Sequence, residues 1–307
     1  MAAASFSSPP ERRMLGVGLR IVSATAFACM SGLLKLASGH GVNTAEMIFY
    51  RNAGAMPIVA AWVAFGPGWR AIRTRRPIAH VTRSGLGLVA MLLSFGTLSL
   101  LPLGEATALT YAAPILSTLL SALFLREVVG VHRWTAVATG FAGVLLVVHP
   151  TGESLPILGV ITGICAAFGQ AAVMITVRQI SRSETIASIV FWFTTMTMLA
   201  GALMLPVFGH THDGITYAML FGAGLCGGCA QITMTGSLRH APVAVVMPFD
   251  YLQIVWGIAF GWLITTLPPT PTTLGGAALI AASGIYTAWR ESKRGYEPAQ
   301  AQVVPEA

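Results

Sequence analysis

Charge is what this sequence has least of. Asp, Glu, Lys and Arg together make up 9% of its 307 residues, where a soluble domain carries about a quarter. A soluble fold is therefore excluded, and 55% hydrophobic residues with a mean hydropathy of +0.73 point to an integral membrane protein. Strand-like alternation is missing too, which removes a closed β-barrel and leaves helices. There is no P-loop, no HExxH and no GxSxG, so nothing implies ATP hydrolysis, a zincin centre or a serine hydrolase. Cysteine is limited to Cys29, Cys165, Cys226 and Cys229, all within apolar runs, where thiols act as small packing residues. Cys226-Gly-Gly-Cys229 has CxxC spacing, but its setting in an apolar run with glycines reads as close helix packing.

What is present is a succession of apolar runs. At about 20 residues per span the chain has room for roughly ten. We place them near 15–38, 44–66, 84–102, 105–125, 134–149, 156–177, 185–206, 214–236, 242–264 and 272–289. The polar start MAAASFSSPPERR is followed by a long apolar run with no clear cleavage site, which reads as an uncleaved first span. The net charge of +7 is organised by topology and does not signal nucleic acid. With the N-terminus in the cytoplasm, every Lys and Arg except Lys35 and Arg51 falls on the cytoplasmic side, including the run Arg70, Arg73, Arg75, Arg76 and Arg83 between spans two and three. The positive-inside rule thus predicts ten spans with both termini inside.

The two halves resemble each other. FACMSGLLKLASGHGVNTAEMIFY aligns with FGQAAVMITVRQISRSETIASIVF at an offset of 141, and Pro114 aligns with Pro248 at an offset of 134. Five spans per half is odd, so the copies must be inverted in the membrane. Inverted repeats suit alternating access, in which a midplane site opens to one side and then the other; a duplication that only enlarged the bundle is the structural alternative. The expected organisation is a tail at 1–14, repeats at 15–149 and 150–289, and a second tail at 290–307.

At the level of motifs, IFYRNAGAMP in the second span, LPLGEATALTYAAPILSTLLSALFLREVV through the fourth, RWTAVATGFAGVLLVV in the fifth and LGGAALIAASGIY in the last resemble the ten-span EamA type of the drug/metabolite transporter superfamily. The resemblance runs from about Leu15 to Trp289. It implies a helical carrier of small organic molecules in the bacterial inner membrane, with a central cavity and without a cofactor. The second copy departs from the family pattern at the end of the ninth span, where Gly261-Trp262-Leu263 stand in place of an acidic residue. Amino acids, vitamins such as riboflavin and nucleotide-derived compounds all fall within the implied cargo, and direction, coupling ion and oligomeric state are open.

Two deep charges are the leading site candidates, since a charge in a span needs a partner or a wet cavity. Arg51 faces either a substrate anion or a protein partner such as Glu46. Asp250, eight residues into the ninth span, shares a helical face with Gln253 and follows Pro248, which frees a backbone carbonyl; it lines the cavity, couples transport to protons, or pairs with Arg51. Gln170 and Gln231 can bond a ligand or another helix. Tyr111, Phe168, Phe249, Tyr251 and Trp256 offer stacking walls or simple packing. Arg20 and Lys35 read as side chains snorkelling from opposite ends of the first span. His210-Thr-His212-Asp213 has ligand-like residue types but reads as a solvated loop. The rival functions are a lipid flippase or scramblase and, with no nucleophile–base set or second carboxylate beside Asp250, a membrane-embedded enzyme.

Overall fold

The computed structural model describes residues 10–113, 116, 131–148, 155–180, 183–241 and 246–293. Among these the fold is all-α. The helices are α1 (Pro10–Gly39), α2 (Thr44–Phe65), α3 (Pro77–Leu100), α4 (Leu103–Thr110), α5 (Val131–Val148), α6 (Ile157–Ile180), α7 (Ile186–Phe208), α8 (Gly214–His240), α9 (Leu252–Thr265) and α10 (Pro271–Lys293), with 3₁₀ turns at Trp69–Ile72 and Met247–Tyr251. Each expected span has a helix at its place. Five of them, in α1, α2, α3, α7 and α8, are long and apolar enough to cross a membrane within the described residues. Pro114, Arg126, Glu127 and the latter part of the fourth span lie outside the described residues, as does the expected boundary between repeats.

Local chemistry sets the helix starts. Asn43 caps α2 by accepting from the amides of Ala45 and Glu46, while Glu46 accepts from the Asn43 amide, a reciprocal capping box. Thr185 and Asp213 cap α7 and α8, and Pro77 and Pro271 open α3 and α10, where a missing N–H costs nothing. The third span accordingly begins at Pro77 and not near residue 84. Arg83 is therefore inside the helix and only 7% exposed, which corrects its assignment to a cytoplasmic connection.

Packing runs between the two halves. α1 lies on α8 and α3 on α6; α2 packs on α7 and α8, α4 on α9, and α5 on α10. Glycines set the crossings: a Cβ on Gly228 would come 3.2 Å from the Ala55 Cα, and one on Gly261 would stand 3.4 Å from the Gly104 amide nitrogen. The glycines around the CxxC spacing thus serve close helix contact.

At the start of α7 the chain is tied to the turn before α3. Trp192 donates to the Ile72 carbonyl at 2.9 Å, and Glu184 accepts from the Arg75 amide at 3.1 Å while lying 3.4 Å from His80 Nε2. Burial alone would raise the Glu184 carboxyl, but hydrogen bonds from Arg75, Thr74 and His80 outweigh it and hold the pKa below the ordinary value. A depressed carboxylate stabilises the fold above its unfolded pKa, and that contribution is lost as pH falls through the folded value. Melting temperature should therefore drop in the wild type as pH falls below the ordinary glutamate range, and drop less in Glu184→Gln. Parallel curves for the two proteins would refute this contribution.

Candidate functional site

Within the described residues the ninth span opens on a 3₁₀ turn that contains Pro248. Met247–Tyr251 form this turn and α9 starts only at Leu252, because proline denies its N–H to the helix. The turn lies against α1 and brings Asp250 to it. Its two carboxylate oxygens accept from Arg20, Nε to Oδ1 at 2.6 Å and Nη2 to Oδ2, a bidentate pair. Arg20 is 7% exposed and does not snorkel. A partner on the 3₁₀ turn, 230 residues away, satisfies it inside the bundle, and this corrects both the snorkelling expectation and the alternative that Asp250 pairs with Arg51. Tyr251 is buried, with its ring 6.1 Å from that of Tyr111, and its hydroxyl lies against Gly284 of α10. Tyr111, Tyr251 and Asp250 therefore form one cluster with Arg20, a residue that sequence reasoning had not placed in the site.

Arg51 is buried in a second cluster. Its Nη1 donates to Asn52 Oδ1 at 3.1 Å, and Asn52 donates back to the Ile48 carbonyl at 2.7 Å. Glu46 is not its partner: Glu46 accepts from the His210 amide at 2.6 Å and lies 2.9 Å from His212 Nε2. The His210–Asp213 connection is thereby docked on α2, while His210, Thr211 and Asp213 stay exposed as expected of a solvated loop. At the far end of α1, Lys35 donates to the carbonyls of Leu98 and Leu101 at 2.8 and 2.7 Å, satisfying acceptors that the end of α3 leaves open.

The other candidates are spread more widely. Gln170, Gln231, Phe249 and Gln253 are half-buried. Phe168 and Trp256 are each 37% exposed, and Trp256 stacks on Phe260 with ring centroids 5.7 Å apart. Neither clusters with Arg51. The residue that went unnoticed beside Arg51 is Arg83, whose guanidinium carbon sits 4.2 Å from the Phe193 ring centroid. A signal existed in the Pro77 helix start, which extends the third span to include it.

Comparison with known proteins agrees with this architecture. Residues 14–149 match the EamA-like transporter family. The riboflavin transporter of Rhizobium johnstonii is 28% identical over 97% of this chain and 99% of its own length. The S-adenosylmethionine uptake transporter of Rickettsia felis is 24% identical over 91% and 94%, and the pseudopaline exporter of Pseudomonas aeruginosa 25% identical over 88% and 94%. A crystal structure superposes with a TM-score of 0.64 at 20% identity, covering 90% of this chain and 98% of the other, which speaks to the fold. The family match thus lies within the first half of the chain, and the likeness to these transporters runs along nearly its whole length.

Proposed function

We propose that the protein is a secondary carrier or facilitator of a small organic metabolite, working by alternating access at a cavity between two inverted five-helix halves, and not an enzyme. The observation that carries this reading is the Arg20–Asp250 pair, which joins α1 of the first half to the 3₁₀ turn of the second inside an apolar bundle. A buried ion pair is a poor way to add stability, because desolvation consumes most of the attraction. A charge held on irregular backbone between two halves is instead what carriers use to hold and release cargo. The cross-half packing of α1 on α8, α3 on α6, α2 on α7, α4 on α9 and α5 on α10 supports the inverted repeat, since first-to-third and like-to-like contacts follow from a two-fold relation. We place both termini in the cytoplasm on the arginine distribution, in a bacterial inner membrane. Arg51, Asp250, Tyr111 and Tyr251 are the residues we assign to the cavity, with Gln170, Gln231, Gln253, Phe168 and Trp256 at its margins.

Counterflow in proteoliposomes tests the reading. The relatives' names direct the first panel to riboflavin and S-adenosylmethionine, to which amino acids are added. Labelled compound should enter faster when the unlabelled one is trapped inside, without ATP, and Asp250→Asn should slow exchange by at least about tenfold, the scale of one charge-assisted hydrogen bond. Proton coupling would require Asp250 to leave Arg20 and take a proton, so an imposed pH gradient should then drive accumulation. Scrambling of a fluorescent phospholipid above the rate of empty liposomes, with no metabolite exchanged, would replace the carrier by the flippase alternative.

A further inference from the structure

Two buried guanidinium groups have no carboxylate partner among the described residues. Arg51 and Arg83 are each 7% exposed. After the bond from Arg51 to Asn52 and the stacking of Arg83 on Phe193, Nε of Arg51 and both Nε and Nη1 of Arg83 remain buried without an acceptor among the described residues. The neighbouring Ser84 hydroxyl is buried and unpartnered as well. The carboxylates whose side chains are described are held elsewhere. Glu46 is held by His212, Glu105 by Thr273, Glu184 by His80, Asp213 by Thr216 and Asp250 by Arg20.

The two arginines also share a neighbourhood. They lie on α2 and α3, consecutive helices that touch; Asn52, the acceptor of Arg51, reaches Met91 of α3 at 3.8 Å, and the Arg83 guanidinium lies against Gly87, one turn before Met91. Space is kept for both. A Cβ on Gly227 would come 3.3 Å from Arg51 Nε, and one on Gly87 would come 2.5 Å from Arg83 Nη1 and 2.6 Å from Phe193 Cε2. Guanidinium does not shed its proton in a protein. Two like charges in a low-dielectric interior, with forked donors left over, therefore call for an anion.

We propose that Arg51 and Arg83 form an anion-binding site and that the carried metabolite bears a carboxylate or phosphate bound there. This rests on the carrier reading and narrows its substrate class. Arg51 holds the anion through the donors that Asn52 leaves free. Arg83, fixed against Phe193, presents its own from α3.

The test uses the full chain in phosphatidylcholine nanodiscs. Phenylglyoxal labelling of arginines, read by mass spectrometry, should be slowed at Arg51 and Arg83 by riboflavin 5′-phosphate or succinate and not by riboflavin or succinamide. Thermal titration should show the anion's apparent dissociation constant weakened about 10- to 100-fold in Arg51→Gln and in Arg83→Gln, less in Arg83→Lys, and unchanged in the exposed Arg73→Gln. Labelling that no anion slows, or equal protection by the neutral partners, overturns the site, and this readout holds even where a variant fails to fold. Protection by added phosphatidylglycerol that soluble anions do not displace would assign the site to a lipid headgroup and overturn the substrate claim. Counterflow of a neutral compound unaffected by Arg51→Gln and Arg83→Gln would remove the anion site while leaving the carrier standing. Wild-type protection without exchange of any panel compound would do the reverse.

Discussion

Asp250→Ala should lower the unfolding free energy by about 3–5 kcal/mol, the cost of leaving one member of a buried ion pair uncompensated. The Arg20 and Asp250 side chains are 8% and 22% exposed, so little solvent is available to screen the stranded guanidinium. Arg20 cannot neutralise itself by releasing its proton, and the Asp250 contact supplies both of its hydrogen bonds. Its Nη1 is already buried without a partner among the described residues. The double variant Arg20→Met/Asp250→Leu should recover much of the lost stability, because two apolar side chains remove the desolvation cost together with the attraction. Transport should not recover with it. A melting temperature in Asp250→Ala within about a degree of wild type would show that the pair contributes little, since a loss of this size corresponds to several degrees.

Gly224→Leu should be the most damaging single substitution at a helix crossing. A Cβ at Gly224 would stand 2.6 Å from the Gly54 Cα and 3.0 Å from the Arg51 carbonyl oxygen, and the reciprocal Cβ at Gly54 would stand 3.0 Å from the Gly224 Cα. All of these are backbone atoms, so no side chain can swing aside. α2 and α8 must separate, and with them the wall that buries Arg51. Overpacking typically costs about 1–3 kcal/mol, and a leucine against backbone on both sides should lie at or above that range, read as a fall in folded yield and melting temperature. Gly222→Ala is the matched control. Its Cβ would meet only the Leu33 Cδ1 at 3.4 Å, an ordinary contact at the end of a flexible side chain. If Gly224→Leu melts with Gly222→Ala, the crossing is looser than these distances require.

Legibility in the sequence differed sharply between elements and contacts. The irregular backbone at Pro248 and the burial of Arg51 were both readable, the first from the chemistry of proline and the second from the cost of a guanidinium within an apolar run. Arg83 was misplaced because a hydropathy pattern treats an arginine as the edge of a span, whereas the helix runs on from Pro77 and the charge is covered by Phe193. Arg20 was misread for a related reason. Five residues from the expected start of its span it could have reached water by snorkelling, and only the position of the 3₁₀ turn shows that a carboxylate is nearer.

By itself the sequence determined that this chain is a bundle of membrane helices, where most of the described helices lie to within a few residues, and which motifs they carry. These are properties of local composition: each span must satisfy its own backbone in lipid, so its hydropathy is written in consecutive residues. The tertiary structure alone decided the partners of the charges. Arg20 finds Asp250, Glu46 finds the His210–His212 connection, and Arg51 and Arg83 are left on touching helices without a carboxylate among the described residues. Pairing inside a membrane depends on which helix faces meet and at what depth, and residues 230 positions apart carry no local trace of that meeting.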